Sequence, residues 1–364
     1  MAIEFNAAVK RIPTYPAAAA YALPEDVALL ASNESPDPPL PQVVEAAARA
    51  LSGANRYPDP SNAKLRKALA DRFDLTPNRI AVGNGSCDIL LAAGDALLEP
   101  GAELVHAWPS FSVYPHLEAA SGARAIRVAL NDRHEHDLEA MLAEITVSTR
   151  LVIVCNPNNP SSTALPTARI ADFVARVPKH VAVILDEAYI EYATLDDPDA
   201  SVDLLKDHPN LVLLRTFSKV YGLCGLRVGY ALCGSADFVT AVDQVRQPFF
   251  CNAAAQAAAI EALKHQDAVT DRVERAIYAR VELESGLQDL GILPADSQAN
   301  FVWFDLPEEA LDADGSEAAV VAALRDRGIL VRAGTALGRV GALRVTFGTP
   351  QQNHRFLAAL GALL

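Results

Sequence analysis

A lysine in the turn that follows a strand is a place for amine chemistry. The stretch LRTFSKVYGLCGLRVGY, residues 214–230, puts Lys219 there, just after Ser218 and eight positions before Arg227. The preceding run, NLVLLRT, is short, apolar and β-rich, so it reads as a buried strand of a parallel sheet. Lys219 then falls at its carboxyl end, the edge where α/β folds build their sites. Two other runs end in the same way. RLVIVC is followed by Asn156-Pro-Asn-Asn159-Pro, and VAVILD ends at Asp186 with Tyr189 close behind. The intervals from Asn159 to Asp186 and from Asp186 to Lys219 each leave room for a crossover of about 10 residues or more between parallel strands. The polar ends can therefore converge on one edge.

An amine, a carboxylate, a phenol and an amide gathered there suit an aromatic cofactor with a carbonyl and a protonatable ring nitrogen. Pyridoxal 5'-phosphate (PLP) has both. Lys219 would condense with the carbonyl, which requires an amine of lowered pKa, and would later move a proton to and from the substrate Cα. Asp186 would hold the ring proton that makes the ring an electron sink; a carboxylate ending a run like VAVIL needs such a partner. Tyr189 and Asn159 would hydrogen-bond the ring's phenolate oxygen. For the phosphate, RIAVGNGSCDILLAAG offers a strand ending at Val82, a turn through Gly83-Asn84-Gly85 and a helix from about Ser86. Its first N–H groups and its dipole face the sheet edge, and Ser218 and Arg227 add a hydroxyl and a permanent charge. The same stretch is half of a dinucleotide fingerprint, but Asp88 stands where the third glycine of GxGxxG belongs, which argues against a dinucleotide site.

The scaffold these residues need is legible as an alternation. RIAV, ELVHAW, AIRVAL, RLVIVC, VAVILD, NLVLLRT and VGYALC are short β-rich runs separated by amphipathic helical stretches, which predicts an α/β fold with a mainly parallel sheet between helices. A proline-rich arm, residues 1–40, precedes it. A long alanine-rich helical stretch leads out, and the remainder (SQANFVWFDL, EAAVVAALRDRG, ILVRA, ALRVTFGT) reads as a smaller α+β domain. The expected division is 1–40 as an arm belonging to the small domain, 41–270 as the large cofactor-binding domain and 271–364 as the small domain. With 364 residues the chain can bury a large core.

Thirty-one Lys and Arg against 45 Asp and Glu give a net charge of -14, which repels nucleic acid and anionic lipid. The five cysteines are odd in number and form no CxxC pair, so neither a disulfide framework nor a zinc site is indicated. No metal is expected. His134 and His136, in the charged segment RHEHD, read as a solvated pair without a third ligand. The first residues, MAIEFNAAVKRIPTYP, lack the apolar core of a signal peptide, and no segment has the roughly 18 apolar residues of a membrane span. A cytoplasmic location is expected.

The DEAY at 186–189, the SK followed by GLCGLRVGY, the NPNNP run and LRVTFGT near the end resemble fold-type I PLP aminotransferases of the histidinol-phosphate aminotransferase group. The resemblance covers nearly the whole chain. NPNNPSST, AWPSFSVYP, RTFSKVYGL and SQANFVWF are similar to the actinobacterial aromatic amino acid aminotransferase branch. The group's usual NPTG reads Asn159-Pro160-Ser161-Ser162 here, which keeps the amide and departs at the turn glycine. The resemblance implies a large domain with a mainly parallel seven-stranded sheet plus a smaller α+β domain, and a homodimer. It implies that Gly85, Ser86 and Cys87 bind the phosphate, that Phe111 stacks on the cofactor ring and that Tyr57 reaches the phosphate of the neighbouring subunit. Arg344 would pair with the substrate carboxylate, with Arg332, Tyr15 and Asn33 nearby. Taken alone, Tyr57 and Tyr15 also read as surface aromatics beside prolines, Phe111 as core packing, and Arg227 and Arg344 as structural ion-pair residues.

The expected reaction is transamination of phenylalanine or tyrosine with 2-oxoglutarate as acceptor. Trp108, Phe111, Phe249 and Phe250 are candidates for aromatic surface around the substrate ring. Two alternatives use the same cofactor residues: a histidinol-phosphate aminotransferase, and a PLP-dependent decarboxylase on the same fold. A regulator built on an aminotransferase domain would carry an added basic DNA-binding domain, for which this acidic chain has no room.

Overall fold

A computed structural model describes residues 3–12 and 26–364. Seven strands form one sheet in the order Ile80–Gly83, Gly229–Cys233, Leu211–Thr216, Ala182–Asp186, Thr149–Cys155, Glu103–Trp108 and Arg124–Ala129. All are parallel in direction except Gly229–Cys233, which runs antiparallel to both neighbours.

The apolar runs are continuous because both faces are covered. Val152, Val154, Val183, Leu185, Leu211 and Leu213 pack into one core, while Leu151, Ile153, Ile184, Val212 and Leu214, interleaved with them, pack into another. Successive side chains of a strand point to opposite faces, so a sheet buried on both sides cannot afford polar alternation. Each of these side chains contributes about 2 kcal/mol on burial. The helices show the matching pattern: Thr167–Arg176 sends Ile170, Phe173 and Val174 into the first core, and Ser86–Leu97 sends Ile89, Leu90 and Ala93 into the second.

A third core gathers Ala28 and Leu30 with Leu283, Leu287, Val302, Phe304, Leu324, Val345 and Phe356. Over it lies an antiparallel sheet of Arg332–Ala333, Ala342–Thr346 and Phe301–Asp305. The helix Gln266–Asp289 serves both regions, with Val269 and Val273 against the first core and Leu283 and Leu287 in the third. Ala28–Leu29 pairs in parallel with Ile329–Leu330, and this anchorage delivers the following residues, 32–34, to the edge of the large sheet.

One expectation is corrected here. His136 is 2% exposed, not solvated. His134 adopts a left-handed backbone (φ 60) and Asp137 caps the helix Leu138–Ala143, so the charged segment turns its last histidine inward. Burial pushes the imidazole down to about 4. Among the described residues, no helix is long and apolar enough to cross a membrane, and no group of three or more His, Cys, Asp or Glu is placed to hold a metal.

Candidate active site

The carboxyl ends of the strands open on a cavity of about 640 Å³, within the usual range of about 300–1,000 Å³ for small-molecule clefts. Ser86, Cys87, Phe111, Asn159, Asp186, Tyr189, Ser218, Lys219 and Arg227 all line it. The sheet register explains the convergence. Cys155 pairs with Asp186 and Asp186 with Leu214, two residues before the end of its strand, so the carboxyl ends of three parallel strands lie close together and the turns beyond them face one space.

Lys219 donates to the Ser32 carbonyl at 3.2 Å, and its amine lies 5.6 Å from the Tyr189 ring centroid. Desolvation, followed by the Arg344 charge, lowers its pKa to about 8. At neutral pH about a tenth of such amines are unprotonated, far more than for a solvated lysine. Asp186 is 3% exposed and raised to about 6 by burial, against the hydrogen bond it accepts from the Tyr114 hydroxyl at 2.9 Å. A carboxylate this deeply buried calls for a cationic partner.

The amides form a clamp. Arg344 donates through Nη1 to Asn159 Oδ1 at 2.6 Å and through Nη2 to the Ala31 carbonyl at 2.6 Å. The other side of the same amide, Asn159 Nδ2, donates to the Tyr189 hydroxyl at 3.4 Å, which also accepts from Asn33 Nδ2 at 3.0 Å. Asn33 holds a left-handed backbone (φ 55), a conformation Asn tolerates better than most residues. Arg332 stands directly opposite Arg344 in the antiparallel pair, so the two side chains share a face of the small sheet.

At the other end of the cavity the helix Ser86–Leu97 begins at Gly85 without a side-chain cap. Gly85 has φ 86, and a Cβ there would run into the Arg227 guanidinium. A Cβ at Gly229 would meet the backbone of Gly85 and Ser86 in the same way. Two glycines thus let a helix N-terminus, a neighbouring strand and an arginine close on one another. Arg227, itself left-handed at φ 58, is tied by Nη1 to the Cys224 carbonyl at 2.8 Å. Ser218 accepts from the Thr216 hydroxyl at 2.9 Å.

These features fit PLP. Uncapped N–H groups, a hydroxyl and a guanidinium suit its phosphate, and the buried carboxylate with its single side-chain donor suits a protonated ring nitrogen. The low-pKa amine suits its carbonyl.

Not every expected residue lies here. Tyr15 falls outside the described residues. Tyr57 is 81% exposed and stacks on Phe249, ring centroids 4.5 Å apart; neither lines the cavity. Of the aromatic candidates for the substrate ring, Phe111 lines the cavity and three others do not. Trp108 ends its strand facing a separate polar cavity shared with His134 and Trp303, and Phe250 lies under the Arg246 guanidinium at 4.0 Å. A position near the site in sequence did not specify the face its side chain takes.

Tyr114, Ser32, Glu34 and Thr216 also stand at the site without a sequence pattern that marks them, and Cys224, which like the other cysteines reads as a small core residue, instead lines the cavity half-exposed. Tyr114, the first residue of the helix Tyr114–Ser121, meets Phe111 edge-on at 5.7 Å, a three-residue spacing too common to single it out. Glu187, next to Asp186 in the chain, turns away from the cavity to pair with the buried Arg215 at 2.7 Å. The NPSS departure is absorbed locally, since Ser162 takes φ 62, the conformation a turn glycine would have.

The Aminotransferase class I and II family model matches residues 25–360. An aromatic amino acid aminotransferase of Thermobifida fusca is 44% identical over 330 residues, covering 91% of this chain and 88% of that protein. One from Mycolicibacterium smegmatis is 42% identical over 357 residues, covering 98% and 94%. A crystal structure of histidinol-phosphate aminotransferase from Sinorhizobium meliloti in complex with pyridoxal-5'-phosphate superposes with a TM-score of 0.84 at 32% identity, covering 93% of this chain and 90% of that one.

Proposed function

The chain belongs to the class I and II aminotransferases, and from that premise we propose that it transfers the amino group of phenylalanine or tyrosine to 2-oxoglutarate. It is a PLP-dependent aminotransferase. The observation that carries the catalytic half of the proposal is the juxtaposition of Lys219, Asp186, Asn159 and Tyr189 around one cavity, with Arg344 bonded to the Asn159 amide behind it. The similarity to two aromatic amino acid aminotransferases over most of the chain supports the substrate.

When bound, PLP supplies a carbonyl for the amino group and a protonated ring that draws electrons from the substrate Cα. The chain's residues do the rest. Asp186 holds a proton at the ring nitrogen, and the positive charge it meets there returns its own raised pKa toward the ionised side. Tyr189, with Asn159 behind it, donates to the ring oxygen. Lys219 Nζ would serve as general base and acid, taking the proton from the substrate Cα and delivering it to the cofactor carbon on the far side of the shared nitrogen. Ser86, Cys87, Ser218 and Arg227 anchor the phosphate, and Arg344 receives the substrate carboxylate with Arg332 opposite it. The active unit is a homodimer in which Tyr57 serves the neighbouring site, working in the cytoplasm.

A second reading, histidinol phosphate as donor, is favoured by the structural neighbour and by the paired guanidiniums of Arg332 and Arg344, since two arginines accept a phosphate as well as a carboxylate. Steady-state kcat/KM for phenylalanine, tyrosine and histidinol phosphate with 2-oxoglutarate separates the two. If histidinol phosphate leads by about tenfold or more, roughly 1.4 kcal/mol of transition-state stabilisation, the aromatic assignment fails.

A further inference from the structure

The turn at the phosphate end of the cavity carries a carboxylate of its own. Asp88, standing where a dinucleotide fingerprint has its third glycine, is the third residue of the helix Ser86–Leu97. Its Oδ2 accepts from the Asn84 backbone N–H at 3.0 Å, which ties the turn Gly83-Asn84-Gly85 back onto the helix that follows. That bond fixes the turn, but it also sets a negative charge in the first turn of a helix whose free N–H groups face an anion. A single carboxylate is favoured at a helix N-terminus. Two anions at the same N-terminus repel one another.

Arg246 resolves the conflict. It directly follows the helix Ala236–Val245, whose Val239 and Val242 share a core with Ile89, Leu90 and Ala93 of Ser86–Leu97. Its Nη1 donates to the Val82 carbonyl and to Asp88 Oδ2 at 3.4 Å, and its Nη2 donates to Asp243 Oδ1 at 2.5 Å. Val82 lies in the outermost strand of the large sheet, where one row of backbone groups has no neighbouring strand to pair with. One guanidinium therefore grips the strand before the turn and the helix after it. The side chain is 3% exposed, lies over the Phe250 ring and leaves its Nε without a partner. Ion pairs buried in this way add little net stability. Asp243 is held independently by Arg66 at 2.6 Å, so the task particular to Arg246 is at Val82 and Asp88.

We infer that Asp88 and Arg246 are positioning residues for the cofactor's phosphate: Asp88 fixes the turn through the Asn84 N–H, and Arg246 cancels the charge of that carboxylate so that the same turn can receive an anion. Both act through the turn. The inference rests on this turn being the phosphate site, a premise that Arg227→Gln checks separately.

The test titrates cofactor-free wild type and variants with PLP and with pyridoxal, which lacks the phosphate, and reads the ratio of the two Kd values. Pyridoxal reports on the rest of the cavity, so a general loss of structure weakens both ligands and leaves the ratio in place. Arg246→Gln should lower the preference for PLP about tenfold, as expected for the loss of a charge-assisted contact, with pyridoxal affinity little changed. Adding Asp88→Asn to that variant should return most of the preference, because the amide oxygen still accepts from Asn84 and carries no charge. Arg246→Lys, with one nitrogen for the carbonyl and two carboxylates, should shift the ratio in the same sense to a smaller extent, and it carries the test if Arg246→Gln does not fold. An unchanged ratio in the Arg246 variant that folds, or a loss in Arg246→Gln that Asp88→Asn does not relieve, overturns the inference. An unchanged ratio in Arg227→Gln would instead overturn the assignment of the turn to the phosphate.

Discussion

At the scale of single residues, the site turns on a buried carboxylate kept ready to ionise. Desolvation raises Asp186 to about 6, and the Tyr114 hydroxyl opposes that rise by donating to Oδ2. Tyr114→Phe removes a hydrogen bond to a charged group, worth about 1.5 kcal/mol or more, without opening a cavity. The carboxylate should then protonate more readily and hold a cationic ring less well. Titrating cofactor-free Tyr114→Phe with PLP is expected to give a Kd about tenfold higher than wild type. An unchanged Kd would mean that Tyr114 packs beside Asp186 without tuning it. Asp186 and Lys219 were visible in the sequence because a charged residue ending a buried apolar run has few structural explanations. Tyr114 was not, because a tyrosine near the start of a helix has many.

At the scale of elements, the phosphate end depends on a helix N-terminus brought unusually close to a strand and an arginine. Gly85→Ala would place a methyl group at φ 86 and ψ 163, a conformation essentially confined to glycine, and against Arg227. The backbone strain alone costs about 1–3 kcal/mol. Urea unfolding of the cofactor-free variant is expected to show that loss, with PLP affinity reduced by a larger factor than the stability change because Arg227 must move. If PLP affinity were unaffected, the helix N-terminus would not be the phosphate site. The same reasoning accounts for Ser162, whose left-handed backbone replaces a turn glycine at some local strain while Asn159, at the start of the turn, keeps its place between Arg344 and Tyr189.

At the scale of the whole molecule, two expectations concern assembly and acid stability. Tyr57 and Phe249 form a stacked, exposed pair away from the chain's own cavity, as a residue donated to a second subunit would be. Mixing Lys219→Ala with Tyr57→Phe protein should give heterodimers with one intact site and one doubly defective site. Recovered activity in the mixture is expected, and none beyond the sum of the parents would place Tyr57 within its own subunit's chemistry. The second expectation follows from His106 and His136, both buried and both lowered to about 4. Below about pH 6.5 the unfolded chain binds protons at these imidazoles, and the folded chain does not until about 4. Their contribution is therefore complete above pH 6.5 and is lost as pH falls toward 4. Asp186, raised to about 6, acts in the opposite sense, so a comparison of variants is cleaner than a single curve. His136→Gln should gain on wild type by up to about 3 kcal/mol between pH 7 and 4, as read from urea unfolding at each pH. A constant gap across that window would show that His136 titrates in the folded state as it does in the unfolded chain.

The α/β alternation, the strand ends and the chemical identities at Asn159, Asp186, Tyr189, Ser218, Lys219 and Arg227 are legible in the residues. Apolar runs of strand length, each ending in a polar residue, leave little freedom about where those residues emerge. What lies beside them follows from the folded arrangement. That Arg344 grips the Asn159 amide, that Asn33 joins Tyr189 across 156 residues of chain, that Glu187 faces Arg215 rather than the cavity, and that Trp108 and Phe250 look elsewhere are matters of register and facing. A shift of one residue moves a strand side chain to the opposite face, and the pairing that selects the face comes from segments far apart in the chain.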